Sequence, residues 1–283
     1  MLCFPQLSTG SAAQYPIVRR RRTRSIVNET PGGRRVTFSD SAAESLEWEL
    51  ALSGLTTQEW MVIEDLFEAC GGRGSDFLFL DPLDNLLGWS EDLEAAAWAA
   101  GPMLERVAGR PDPLGATRAT RLVNTGQAPQ RLSQTLSAPG GFQYCLSVRV
   151  RSAVPGVAKL VLATTGGEEL RIVETGPEWR EVWMTGKLSG PEGGPTGETI
   201  TGGVELAPGA SVDVFGMQLE AQTGPSAYKK TAGRGGVYPF ARFSEDLLWS
   251  KTEGIDSHST VIRITGPPNG MGTRPQGGHP EGV

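Results

Sequence analysis

The chain has 283 residues, of which 38% are hydrophobic and 20% charged, with a net charge of −6. That composition belongs to a soluble globular protein long enough for two ordinary domains, and so slight an acidic balance gives no reason to expect a nucleic-acid partner. No apolar run approaches the ~18 residues of a membrane span, and the first residues, MLCFPQLSTG, lack a basic stretch followed by an apolar one, so neither membrane insertion nor a secretion signal is expected.

Glycine (38) and proline (20) are both abundant, without a collagen period or a low-complexity run, which points to many turns between short strands. The three cysteines, Cys3, Cys70 and Cys145, are dispersed and odd in number. They form neither a disulfide framework nor a zinc-ligand spacing, and free thiols in a reducing compartment are expected.

Residues 1–18, with Pro5 and Pro16, read as an extended arm or edge strand. The run Arg19 to Arg24 (RRRRTR) is the one dense basic patch. In an acidic protein a lone short run reads as a solvated strand, or a basic edge meeting an acidic partner, rather than as a phosphate or membrane site. Ser25 to Phe38 predicts a hairpin turning at Thr30-Pro31-Gly32-Gly33. Leu46, Trp48, Leu50 and Leu52 alternate with Glu47, Glu49 and Ala51, a period of two that predicts a half-buried strand with the glutamates outward. A helix follows, with Thr56 or Thr57 as N-cap and Glu59 completing a capping box with Thr56. Trp60, Ile63 and Phe67 form its apolar face, with Met61 or Leu66 beside them. Glu64, Asp65 and Glu68 form its solvated face, and Gly71-Gly72 stops it. Phe77-Leu78-Phe79-Leu80 is a buried strand closed by a turn at Asp81-Pro82.

A second pattern starts at once. Strands are predicted over 118–123, 131–136, 142–151, 157–164, 169–173, 180–186, 204–206 and 212–219, with turn signals between them and a flexible excursion at 190–197. Many short alternating strands at this spacing predict a β-sandwich of jelly-roll type. After Gly233 the first pattern returns, with strands expected over 237–243, 247–252 and 259–264. Three strands are too few to stand alone, so they are expected to complete the first sheet. The fold class is therefore mainly β: a discontinuous β-rich domain with one helix over 1–84 and 230–265, an inserted β-sandwich (jelly roll) over 85–229, and a flexible tail over 266–283 with little to bury.

Two resemblances follow from particular residues. Trp48-Glu49-Leu50, the Gly54-Leu55-Thr56 approach to a helix containing Glu59, Phe77 to Pro82, Ala241-Arg242-Phe243 and His258 to Ile264 resemble the distal-tail or minor-tail (baseplate) proteins of long-tailed bacteriophages. Asn85 to Asp92 with Ala97-Trp98, Gln130 to Gln134, Glu178-Trp179-Arg180 and Val214 to Glu220 followed by Tyr228 resemble the carbohydrate-binding-like jelly rolls of phage tail and fibre proteins. The resemblance implies a virion tail-tip component, made in the host cytoplasm, whose partners are other phage tail proteins and further copies of itself in a ring. A host-surface glycan is the implied ligand of the insert, and a structural calcium is implied because related jelly rolls often carry one. These are fold-level analogies.

An enzyme is not expected. There is no G-x-S-x-G, P-loop or histidine-rich metal spacing, and only two histidines. Asp256, His258 and Ser257 are neighbours in sequence and would point different ways along a strand, a poor basis for a triad. A glycosidase needs a placed pair of carboxylates, and no segment singles one out. A glycan site needs aromatic platforms beside polar groups. The candidates are Trp98, Tyr144, Trp179, Arg180 and Trp183, with core packing as the competing role for each aromatic. Trp89 is a further aromatic available as a platform; it and Trp98 flank a short helical turn, and closing the sandwich is the competing role for both. Asp213 and Glu220 are the candidate calcium ligands. The alternative function is a polysaccharide-binding accessory, or a hydrolase, acting on cell-surface glycans.

Overall fold

The computed structural model describes residues 2–188 and 198–267. Strands β1 (Ile17–Glu29) and β2 (Arg35–Leu55) form a long antiparallel ribbon whose turn is closed by the Gly33 N–H donating to the Thr30 carbonyl at 2.8 Å. The predicted alternation holds in β2: Trp48, Leu50 and Leu52 are buried, while Glu47 and Glu49 face out. The acidic partner of the basic run is this neighbouring strand. Arg20 meets Glu49 at 3.1 Å, Arg21 meets Glu44 at 2.8 Å and Arg22 meets Glu47 at 2.8 Å. Arg19, on the face opposite Arg20 and Arg22, turns inward to Asp81 and Asp84 at 2.7 Å each. Asp81 is buried, accepts the Trp48 indole N–H at 2.9 Å, and has its pKa raised by that burial despite the guanidinium beside it.

Helix α1 (Thr57–Cys70) starts with the expected capping box. The Thr56 hydroxyl accepts from the Glu59 N–H, and the Glu59 carboxylate accepts from the Thr56 N–H. It ends at Gly71 in the left-handed conformation, φ 61°, where glycine is favoured. Its buried face is Trp60, Ile63, Leu66 and Cys70; Phe67 is only half-buried and Met61 is exposed. Strand β3 (Phe77–Leu80) is buried at all four positions. Phe77 and Phe79 enter the core under α1, while Leu78 and Leu80 enter the core of the sandwich that follows, so β3 belongs to both.

Residues 2–16, expected as an extended arm or edge strand, bridge the edge of the sheet at Cys3 and Leu78 and are anchored beyond that by buried side chains. Phe4, Leu7, Ala12 and Ala13 are buried, and the backbone lies along β3 through bonds from Phe4 N–H to Leu78 and from Leu78 N–H to Leu2. The Gln6 amide donates to the carbonyls of Gly10, Gln143 and Ala221, strapping this segment onto the sandwich. The segment turns back on itself between Leu7 and Ser11, and its spaced apolar residues do the anchoring.

The sandwich comprises β4 (Ala99–Ala100), β5 (Leu104–Arg110), β6 (Ala119–Asn124), β7 (Gln130–Ser137), β8 (Gln143–Arg151), β9 (Gly156–Thr164), β10 (Gly167–Thr175), β11 (Arg180–Lys187), β12 (Thr199–Leu206) and β13 (Ser211–Glu220). They form two five-stranded antiparallel sheets, β10-β9-β12-β7-β4 and β11-β8-β13-β6-β5, with Leu132, Leu160, Leu162 and Val204 of one meeting Leu146, Val148, Val150 and Val214 of the other. This is the expected jelly-roll type of β-sandwich. Strands β4 and β5 were not expected: β4 has two residues, and β5 buries only Leu104, so neither shows alternation. Strand β12 starts earlier than its apolar residues suggest because Gly202-Gly203 hide it. The excursion at 190–197 lies outside the described residues.

The closing strands are β14 (Val237–Phe243), β15 (Lys251–Gly254) and β16 (Ser257–Gly266). They return to the first sheet, whose order is β1-β2-β16-β14-β3 with β15 on β16. Ile262 pairs with Leu50, Ile264 with Trp48, and Tyr238 with Phe79. The strand expected over 247–252 is displaced to β15, since Leu247 and Trp249 are exposed and hold no place in the core. Gly266 ends β16, and the tail beyond Pro267 lies outside the described residues.

Candidate functional site

Two of the sequence candidates are core residues. Trp98 is buried, with its indole N–H donating to the Trp89 carbonyl at 3.1 Å. Tyr144 is buried, with its hydroxyl donating to the Pro139 carbonyl at 2.6 Å, and burial pushes its pKa well up. Neither offers a face to a ligand, so for both the packing role prevails over the binding role.

The other three gather where the two sheets' edge strands, β10 and β11, come side by side. On β11, Val182 and Met184 pack on the sandwich core, which leaves Trp183 on the opposite side at 40% exposure. The Arg171 guanidinium of β10 sits 5.4 Å from the Trp183 ring centroid and donates to the Trp183 carbonyl at 2.6 Å. Arg180 is exposed and lies 3.5 Å from Glu174. Arg171, Glu174, Arg180, Glu181 and Trp183 line a cleft of about 510 Å³, with exposed Ile172 on its wall. Trp179 stands outside it, half-buried under the Arg151 guanidinium at 4.8 Å. The structure thus brings Arg180 and Trp183 together and leaves Trp179 adjacent. Sequence reasoning missed Arg171, Ile172 and Glu174. Their signal was β10 itself, where Leu170 and Ile172 alternate with charged residues yet remain exposed at 43% and 67%. An exposed indole held by a guanidinium, with carboxylates at the rim, can stack a sugar ring and bond its hydroxyls.

The calcium candidates do not fit the ion. Asp213 accepts from Arg121 at 2.7 Å and Arg151 at 2.9 Å. Burial alone would raise its pKa, but these two guanidinium bonds hold it below the usual carboxylate range. Glu220 is taken by Lys229 at 2.6 Å, the Ser226 hydroxyl and the Gln218 amide. Among the described residues no group of three or more His, Cys, Asp or Glu side chains is placed to hold a metal. The oxygens that calcium would need are committed to cations and neutral hydrogen-bond donors of the protein.

Asp256 and His258 serve the helix. Asp256 accepts the Thr57 N–H at 2.6 Å, and His258 lies 3.2 Å from the Thr57 hydroxyl with its ring stacked on Trp60. All three cysteines carry free thiols, and burial pushes that of Cys145 up to about 12.

No protein-family model and no curated protein matches this sequence. Solved structures resemble parts of it. The enzymatically active domain of tailspike protein 4 from bacteriophage CBA120 aligns with 50% of the chain at 11% identity and a TM-score of 0.38; the chain spans 22% of that protein. TmCBM61, solved with β-1,4-galactotriose, aligns with 48% of the chain and 97% of its own length at 21% identity and a TM-score of 0.34. The CBM22-1 xylan-binding domain of Paenibacillus barcinonensis Xyn10C aligns over 53% and 97% at 10% identity and a TM-score of 0.36. Likenesses this distant assign no ligand to the present chain.

Proposed function

We propose that this chain is a non-enzymatic structural component of a bacteriophage tail tip. It assembles with further copies and other tail proteins through its six-stranded sheet, and it displays the sandwich outward, with the β10–β11 cleft available to a host-surface glycan. The division into an assembly domain, 1–84 with 230–265, and an inserted sandwich, 85–229, belongs to this reading.

The observation that carries it is the outer half of the β1–β2 ribbon. Strand β16 pairs with β2 only from Leu46 onward, so among the described residues β1 and β2 have no further strand partner beyond that point. Every residue from Arg21 to Arg35 is exposed. The ribbon nevertheless carries Ile26 paired with Phe38, and Val27 beside them, at 44%, 56% and 45% exposure. A two-stranded hairpin is marginal in water, and an apolar pair on it is stabilised only when something covers it. A neighbouring subunit supplies such a cover, and the unpaired edge of β1 supplies further backbone groups for it.

The test is the mass distribution of the purified chain by mass photometry, beside the Phe38→Asp variant. The wild type is expected as a threefold or sixfold assembly and the variant as single copies with unchanged thermal stability. A monomeric wild type, or a variant that assembles equally well, contradicts the reading.

A further inference from the structure

Where the chain leaves β3 for the sandwich, Leu86 and Leu87 are buried, and Trp89, two residues on, is 41% exposed. Its backbone has φ 53°, a left-handed conformation that bulky residues rarely adopt, and it is the one non-glycine residue at positive φ among those described. Hydrogen bonds hold it there from several sides. The Gln134 side chain bonds both the N–H and the carbonyl of Gly88. The Trp89 N–H donates to Gly233 at 3.0 Å, and the Trp89 carbonyl accepts from Asp92 N–H and the Trp98 indole. Strain held in this way by its surroundings marks a position whose geometry is used. Here its result is to send the largest apolar side chain of the segment outward while its neighbours pack inward.

The indole borders two cavities. One, of about 410 Å³, lies along the seam between β7 and the returning chain at Gly233–Gly235. The other, of about 360 Å³, is bordered by Glu91, Asp92, Thr117, Arg118 and Lys230. Its lining carries two carboxylates, Glu91 and Asp92, and two cations: Glu91 meets Arg118 at 3.1 Å and Lys230 at 2.6 Å, and Arg118 is also held by Asp112, outside the lining, at 2.8 Å. The site therefore offers an aromatic platform, hydroxyls, and two cations that carboxylates of the protein already hold.

We propose that Trp89 is the platform of a second binding site, at the seam between the sandwich and the six-stranded sheet, for a neutral saccharide whose apolar ring face stacks on the indole and whose hydroxyls reach Asp92, Thr117 and Lys230. It stands apart from the β10–β11 cleft and does not depend on that cleft binding anything. An acidic sugar or a phosphate is not the fit, because Glu91 already occupies the cations it would need.

The test is affinity electrophoresis of the full chain in gels containing galactan, xylan, mannan or β-glucan, with alginate and hyaluronan as acidic counterparts. At least one neutral polysaccharide is expected to retard the wild type. Trp89→Ala should weaken that retardation at least tenfold, Trp89→Phe should keep most of it, and Trp249→Ala, which removes an exposed tryptophan elsewhere, should leave it unchanged. Thr117→Arg fills the cavity from an exposed position without touching the strained backbone, so its loss of retardation with an unaltered unfolding midpoint separates binding from folding. Retardation by none of the neutral gels, retardation by acidic gels alone, or retardation indifferent to both Trp89→Ala and Thr117→Arg overturns the proposal.

Discussion

Asp112 gathers the N–H groups of Leu114, Ala116 and Arg118, and the Arg118 guanidinium at 2.8 Å, around one carboxylate. Burial by itself would raise its pKa, but these bonds to the charged form win and lower it to about 2 from 3.8. Because the folded value is the lower one, the stabilisation is fully present above pH 3.8 and is lost as the pH falls through about 2. Asp112→Asn should therefore be less stable than the wild type at neutral pH, and the gap should close across that acidic window. Urea midpoints measured from pH 7 down to pH 2 check this. Single residues were also where sequence reading was least able to separate roles. The side of β11 that Trp183 takes becomes plain once Val182 and Met184 are assigned inward, a matter of period two. The fates of Trp89 and Trp98 lie in turns with no period, where the Gly233 carbonyl accepting the Trp89 N–H and the Gln134 side chain bonding the Gly88 backbone, each more than forty positions from its partner, fix the chain that sends Trp89 outward.

At the scale of elements, α1 was legible from its local chemistry because caps and stop signals act within a few residues. Thr56, Glu59 and Gly71 each do what their type and position dictate. Thr56→Ala removes the acceptor for the Glu59 N–H and should lower the unfolding free energy by about 1 kcal/mol, read from denaturant melts, while a control change on the exposed face such as Glu64→Gln stays within about 0.5 kcal/mol. The hairpin at 30–34 was equally readable from its turn residues. The length of its strands was not, because the exposed outer ribbon carries no inside-outside alternation; among the described residues no third element defines an inside there. Strands β4 and β5 escaped notice for a related reason, since an edge strand with one buried residue leaves almost no hydrophobic pattern.

At the scale of the whole molecule, the outgoing and returning chains meet backbone to backbone. The outgoing chain at Asn85–Gly88 and the returning chain at Gly233–Gly236 lie against each other, with Gly236 N–H donating to the Asn85 carbonyl at 2.8 Å. A Cβ on Gly235 would stand only 1.9 Å from the Leu86 carbonyl oxygen, and one on Gly88 only 2.0 Å from that of Gly233. Backbone cannot give way there as a flexible side chain would, so Gly235→Ala should cost about 1–3 kcal/mol in thermal or denaturant unfolding, although Gly235 precedes β14 by only two positions and lies in no strand. The return of the last strands to the first sheet could be inferred from sequence because three short strands cannot bury themselves, but the sharing of β3 between two cores could not, since an all-apolar run does not say what lies on either side of it. The account's central claim is that this sheet, extended by its bare ribbon, is an assembly surface. Electron-microscopic class averages of the purified chain test it most directly. Closed rings of three or six copies with ribbons at the subunit joints and sandwiches on the outer rim are predicted; isolated copies, or rings joined through the sandwiches with the ribbons left in solvent, would contradict it.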